Sequence, residues 1–176
     1  MKVRLLSVFR VLTTLGMLVT CQLSMAASPS MNFELPRLDG SAFIRLNDYA
    51  GRPVLLNFWG SECPPCVAEL PLLFSQAQRH PGIQFLGIAV DPRATATRFL
   101  ARMQPTYPQL IALTQPDVLM RRFGNKLGGL PYTVIVNGQH EICNSHLGEV
   151  DEKWLSSAIA ACSGGAPAMS SKGANR

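Results

Sequence analysis

The chain of 176 residues is 47% hydrophobic and 15% charged, which suits one domain with a real core, is too little for two, and is not the composition of a disordered chain. The formal charge of +5 gathers at the ends: Lys2, Arg4 and Arg10 sit in the first 26 residues with no acid, and the span 27–162 balances at 11 basic against 11 acidic groups. No basic face follows, so nucleic acid is not expected as a partner.

In chain order, Lys2, Arg4 and Arg10 precede the mostly apolar Val11 to Val19, and Ser24 and Ala26 are small residues of the kind a signal peptidase inspects. Residues 1–26 read as a signal peptide cleaved after Ala26. The apolar stretch is short for a membrane span, which needs about 20 such residues; counting from Leu5 and tolerating Arg10 leaves an uncleaved anchor open. Leu18-Val19-Thr20-Cys21 is also similar to a lipoprotein box that would lipidate Cys21, with Thr20 where Gly, Ala or Ser is usual. Without Cys21 four cysteines remain, Cys63, Cys66, Cys143 and Cys162, an even number that allows full pairing in an exported chain.

Phe33 to Leu35 and Ala42 to Arg45 flank Asp39-Gly40 and predict a small hairpin. Val54 to Trp59 is a short apolar run of the kind buried on both faces of a sheet. A helix follows over Cys63–His80, with Leu70, Leu73, Phe74 and Ala77 at helical spacing and Pro81-Gly82 as its stop. Gln84 to Val90 predicts a second buried strand, Ala94 to Met103 a helix, Leu110 to Leu113 a short strand, and Asp117 to Phe123 a short helix. Thr133 to Val136 and Glu141 to His146 flank Asn137-Gly138, the preferred pair for a two-residue hairpin turn. Asp151 to Cys162 is an amphipathic helix with Trp154, Leu155, Ala158, Ile159 and Cys162 on one side and an acidic first turn. The tail 163–176, rich in Ser, Gly and Ala, reads as disordered. Alternating strands and helices without a repeat or long linker argue one α/β domain.

The sharpest feature is Cys63-Pro64-Pro65-Cys66, placed where a buried strand turns into a helix. Free N–H groups and the positive dipole end at a helix N-terminus stabilise a thiolate, the nucleophile of disulfide exchange. Cys63 is then the attacker, and Cys66, one turn further in, closes onto it and expels a bound thiol. Half of a zinc site is the competing reading, but a structural site wants four ligands. Cys143 and Cys162 are not a close pair, and His140 and His146 could complete a site only with unusual geometry, so no metal is expected. A copper(I) chaperone would want Met or His beside the two soft ligands, and none adjoins them. A peroxidase would need Pro-x-x-x-Thr-x-x ahead of its cysteine, and no cysteine here is preceded that way.

From about Phe33 to Ile159 the sequence resembles the TlpA/ResA-like thiol-disulfide oxidoreductases of the thioredoxin superfamily, most specifically in Val54 to Pro71 and in Gly129-Leu130-Pro131-Tyr132-Thr133. The resemblance implies an α/β thioredoxin fold over residues 27–162: a central mixed sheet flanked by helices, with an N-terminal β-hairpin extension and an insertion before a cis-proline. Pro131 would be that cis-proline, facing the cysteine pair, and Pro71 the proline inside the first helix. Glu69, three residues after Cys66 and so on the same side of the helix, would take and return a proton as the disulfide opens and closes, with Asn57 standing where ordinary thioredoxins carry a buried Asp. Glu62 departs from the family, which usually has Trp before the first cysteine. Its charge disfavours the Cys63 thiolate. Cys143 and Cys162 either form a structural disulfide or stay as buried thiols. His80 reads as a helix-end residue.

The resemblance further implies a monomeric periplasmic reductant without a cofactor, recharged by a membrane thiol-reducing protein and acting on exported proteins with disulfides, of the apocytochrome c or copper-site assembly type. A disulfide-forming oxidant of folding proteins remains the alternative, because direction depends on how strongly the reduced pair is stabilised.

Overall fold

A computed structural model describes residues 31–163; the segment 1–26 read above as a signal peptide, Cys21 and the tail beyond Ser163 lie outside them. In chain order the elements are β1 (Glu34–Pro36), β2 (Phe43–Arg45), a 3-10 turn (Leu46–Tyr49), β3 (Val54–Trp59), α1 (Pro64–Arg79), β4 (Gln84–Ala89) and α2 (Arg93–Leu100). There follow β5 (Gln109–Ile111), α3 (Pro116–Arg122), β6 (Tyr132–Val136), β7 (Ile142–Leu147) and α4 (Glu152–Ser163).

Five strands form one mixed sheet in the order β5-β4-β3-β6-β7, with β5, β4 and β3 parallel and β6 and β7 antiparallel to their neighbours. The run Val54 to Trp59 lies at its centre because it is apolar on both faces. Leu55 and Trp59 point into a core shared with Leu70 and Leu73 of α1 and Leu155 and Ile159 of α4. Val54, Leu56 and Phe58 point the other way, into a core closed by Leu119 and Met120 of α3, Phe123, and Phe33 and Ile44 of the hairpin. Helices therefore cover both faces, as the apolar pattern requires.

The hairpin β1–β2 stands apart as its own two-stranded sheet. Its turn is held by the Asp39 carboxylate, which accepts the Ser41 backbone N–H at 2.9 Å and its hydroxyl at 2.7 Å, while Gly40 takes a positive φ of 76°. Arg37 forms an antiparallel bridge to Leu110, and the Leu38 N–H donates to the Gln109 carbonyl at 2.7 Å, so this turn covers the outer edge of β5. α2, β5 and α3 lie between β4 and the cis peptide Leu130–Pro131, the stretch in which the insertion is expected.

Two local expectations change. The hairpin β6–β7 forms, but not with a two-residue Asn-Gly turn. The Asn137 side-chain oxygen accepts the N–H groups of Gln139 and Glu141, His140 takes the positive φ of 62°, and the connection runs from Asn137 to Glu141. Gly138 serves a different purpose: a Cβ there would lie 2.8 Å from the Gly51 carbonyl carbon, and the Gly51 N–H donates to the Gly138 carbonyl at 2.8 Å. The second change is at α2, which ends at Leu100. Residues 101–103 continue as a turn that leads into Gln104, at a φ of 49°, and Pro105.

β7 carries a bulge. Ile135 pairs with Asn144 and Val136 with Ile142, so Cys143 is the extra residue and faces the α4 side of the sheet. There it is joined to Cys162 of α4, with the Cα atoms 5.7 Å apart. His146 stacks on Trp154 of the same helix at 5.1 Å between ring centroids.

Candidate active site

The strand order sends the C-terminal ends of β3, β4 and β5 to one end of the sheet, and the chain leaves β3 there through Gly60-Ser61-Glu62. The Ser61 N–H donates to the Asp91 carboxylate, just past the end of β4, and the Cys63 N–H returns to the Gly60 carbonyl at 3.2 Å. Gly60 belongs where it stands, because a Cβ would come within 3.2 Å of Asp91 Oδ1.

Cys63 is the N-cap of α1, its Sγ accepting the Cys66 N–H at 3.4 Å. Pro64 and Pro65 fill the first helical positions, where a missing N–H costs nothing. Cys63 and Cys66 are joined as a disulfide with Cα atoms 5.2 Å apart. Cys63 is half-buried and Cys66 fully buried, so an incoming group reaches Cys63 first. Glu62 is exposed beside it.

One turn behind Cys66 lies Glu69, 1% exposed. Its Oε1 accepts from Asn57 Nδ2 at 2.7 Å and its Oε2 from the Val150 N–H at 2.9 Å. The other Asn57 Nδ2 contact is Thr133 Oγ1 at 3.1 Å, while Asn57 Oδ1 is buried without a partner. Burial pushes the Glu69 carboxyl up to about 7; the Val150 and Asn57 donors pull against that rise, and the nearby Glu149 charge adds to it.

Asn57 belongs to a row that crosses the whole sheet in register: Gln109, Gly87, Asn57, Thr133 and His146. Gly87 makes room for Gln109, whose Oε1 would lie 2.0 Å from a Cβ there. Gln109 in turn accepts the Trp59 indole N–H at 3.1 Å, and so anchors the last residue of β3 before the cysteine loop.

Leu130–Pro131 is a cis peptide at the same end of the sheet, one residue before Tyr132 pairs with Phe58. The Leu130 side chain reaches Gly60: a Cβ on that glycine would lie 3.6 Å from Leu130 Cδ1. Asn125 braces the loop, donating to the Gly129 carbonyl at 2.8 Å and accepting the Gly128 N–H at 2.9 Å. Cys63, Cys66, Glu69 and Pro131 are thus gathered at one end of the sheet. Sequence reading missed Thr133, Gln109, Asn125 and Val150. Thr133 lay inside a segment already singled out. Val150 acts through its backbone N–H and leaves no signal in residue type. His80 caps the C-terminus of α1, its N–H on the Gln76 carbonyl at 3.0 Å. Among the described residues, no group of three or more His, Cys, Asp or Glu is placed to hold a metal ion.

A Cys-x-x-Cys disulfide at a helix N-terminus, a buried carboxyl behind it and a cis-proline at the same end of the sheet are the features of a thioredoxin-fold thiol-disulfide oxidoreductase. The family model described as AhpC/TSA matches residues 27–145, and the chain belongs to that family, among its ResA- and DsbE-type thiol-disulfide oxidoreductases. It is 31% identical to the thiol-disulfide oxidoreductase ResA of Halalkalibacterium halodurans over 137 residues, 76% of this chain and 74% of that protein. It is also 31% identical to the thiol:disulfide interchange protein DsbE of Pseudomonas aeruginosa, over 74% of this chain and 71% of that one. The solved structure of MTB DsbF, in its mixed oxidized and reduced forms, superposes with a TM-score of 0.65 at 25% identity and covers 75% of this chain and 96% of that one.

Proposed function

We propose that the protein is an exported reductant of disulfides in other exported proteins, of the apocytochrome c or copper-site assembly type, and is recharged by a membrane thiol-reducing protein. The Cys63 thiolate attacks a substrate disulfide, forming one S–S bond and releasing one substrate thiolate. Glu69 then takes the proton from Cys66, the Cys66 thiolate attacks Cys63, and the second substrate sulfur leaves. The Cys63–Cys66 disulfide forms as the substrate disulfide is reduced, and the proton held on Glu69 passes to the departing thiolate.

The observation that carries the reductive direction is the placement of carboxylates around the pair. Glu69 is buried behind Cys66 and Glu62 stands next to Cys63. Negative charge disfavours thiolates; a reduced pair that is poorly stabilised gives up its electrons readily, whereas a strong oxidant at about −120 mV owes its potential to a stabilised reduced form. Equilibration of the Cys63–Cys66 couple against dithiothreitol buffers is the test. A midpoint below about −220 mV is expected; a midpoint near that of the strong oxidants reverses the assigned direction. Cys63→Ser with Cys66→Ser is expected to abolish disulfide reductase activity; retained activity would place the exchange elsewhere.

A further inference from the structure

The segment from β7 through α4 hydrogen-bonds Glu69 through the Val150 N–H, which lies in the loop between the two elements. The Cys143–Cys162 disulfide ties the two ends of that same segment together across a sequence separation of 19. The segment also touches α1 at the surface, where the Glu152 carboxylate accepts from Gln76 at 3.0 Å and from Arg79 at 3.1 Å. A bulge in β7 is what turns Cys143 toward α4, a local departure from regular pairing whose visible product is this bond. We propose that the Cys143–Cys162 disulfide is a positioning element for the proton acceptor: by clamping β7 to α4 it holds the Val150 N–H on Glu69 Oε2, and so sets the pH range in which the Cys63–Cys66 pair exchanges. This rests on the reading of Glu69 as the acceptor of the Cys66 proton.

The direction follows from the chemistry. A backbone N–H pointed at a carboxylate favours its charged form. A loosened loop weakens that bond, and Glu69 then holds its proton to higher pH. The other groups facing Glu69 do not offset this. Asn57 of β3 is neutral and already donates, Cys66 lies on the same helix, and Glu149 carries negative charge that also favours the protonated form. Tyr107, between α2 and β5, is buried, and that burial pushes its hydroxyl far above the usual tyrosine range.

The experiment is carbon-13 NMR titration of the Glu69 carboxyl in the oxidised protein, where the Cys63–Cys66 bond is closed and no turnover is needed. It compares wild type with Cys143→Ala/Cys162→Ala. The midpoint of the double variant is expected to rise by ~0.5–1 pH unit, about half of what complete loss of one hydrogen bond to a charged group would give, because the bond is weakened and not removed. Its exchange rate at pH 7 is expected to fall a few-fold and to recover by pH 9. A folded variant with an unchanged Glu69 midpoint overturns the proposal. In the wild type itself, the Val150 amide resonance must shift with the same midpoint as Glu69. Independent titration overturns the proposal even where the double variant does not fold. A midpoint that rises while the rate stays level keeps the clamp and instead removes Glu69 from the exchange step, so the two ideas fail separately.

Discussion

Glu69 costs the fold more than a glutamine would and serves chemistry better. A base that titrates near the working pH is half available and still strong enough to take a thiol proton, and burial brings this carboxyl to about 7. Glu69→Gln keeps the site's shape: the Gln oxygen can accept the Val150 N–H, and its amide group can donate to Asn57 Oδ1, the atom now without a partner, once the Asn57 amide turns over. The variant is expected to lose about 10²-fold in the rate at which Cys66 closes onto a mixed disulfide at pH 7. The rise in rate through neutral pH should vanish, read by stopped-flow Trp fluorescence across pH 5–9. Equal profiles for both proteins would remove Glu69 from the mechanism. A second residue pair makes a stability test. Gly87→Ala drives its methyl into Gln109 and separates the Gln109 oxygen from the Trp59 indole, at about 2–3 kcal/mol by urea unfolding. In the Gln109→Ala background the same substitution should cost less than half as much, since the clash and the bond are both already gone.

At the scale of elements, legibility followed burial. Apart from Asn57 and the leading Gln84, the runs Val54 to Trp59 and Gln84 to Ala89 are apolar, and only a strand covered on both faces tolerates that, so both appear in the structure within a residue of their expected ends. The cysteine pair could be placed at a helix N-terminus for the same reason: it follows one such run. Turns were harder because side-chain competition decides them. Asn137 uses its own oxygen to hold two N–H groups, which outweighs the two-residue turn that Asn-Gly favours. Gly138 is then fixed by a contact with Gly51 that lies 87 positions away and has no local trace. Gly138→Ala should therefore destabilise by about 1–3 kcal/mol, because backbone at 2.8 Å cannot give way. An equal thermal midpoint for variant and wild type would show that the contact is dispensable. The partners of Asn57 in the polar row escaped the sequence for a related reason. Gln109, Asn57 and Thr133 sit on three strands, and only the strand order makes them neighbours.

For the molecule as a whole, Glu69 ties stability to pH with an unusual sign. Its folded value of about 7 stands above the ordinary 4.5, so its contribution is complete below pH 4.5 and is lost as pH rises toward 7. The loss amounts to ~3 kcal/mol, and Glu69→Gln should flatten the urea-midpoint profile over that window. A wild-type profile already flat between pH 4.5 and 7 would mean that the carboxyl titrates normally. The hairpin turn laid along β5 has a consequence of another kind. A sheet with two bare edges can recruit copies of itself without end, one strand against the next. Here Arg37 and Leu38 already take up outer hydrogen-bonding positions of β5, which leaves β7 as the open edge of the five-stranded sheet among the described residues. Edge-to-edge pairing through the five-stranded sheet is therefore confined to its β7 side, which favours at most two copies meeting back to back over an open-ended stack.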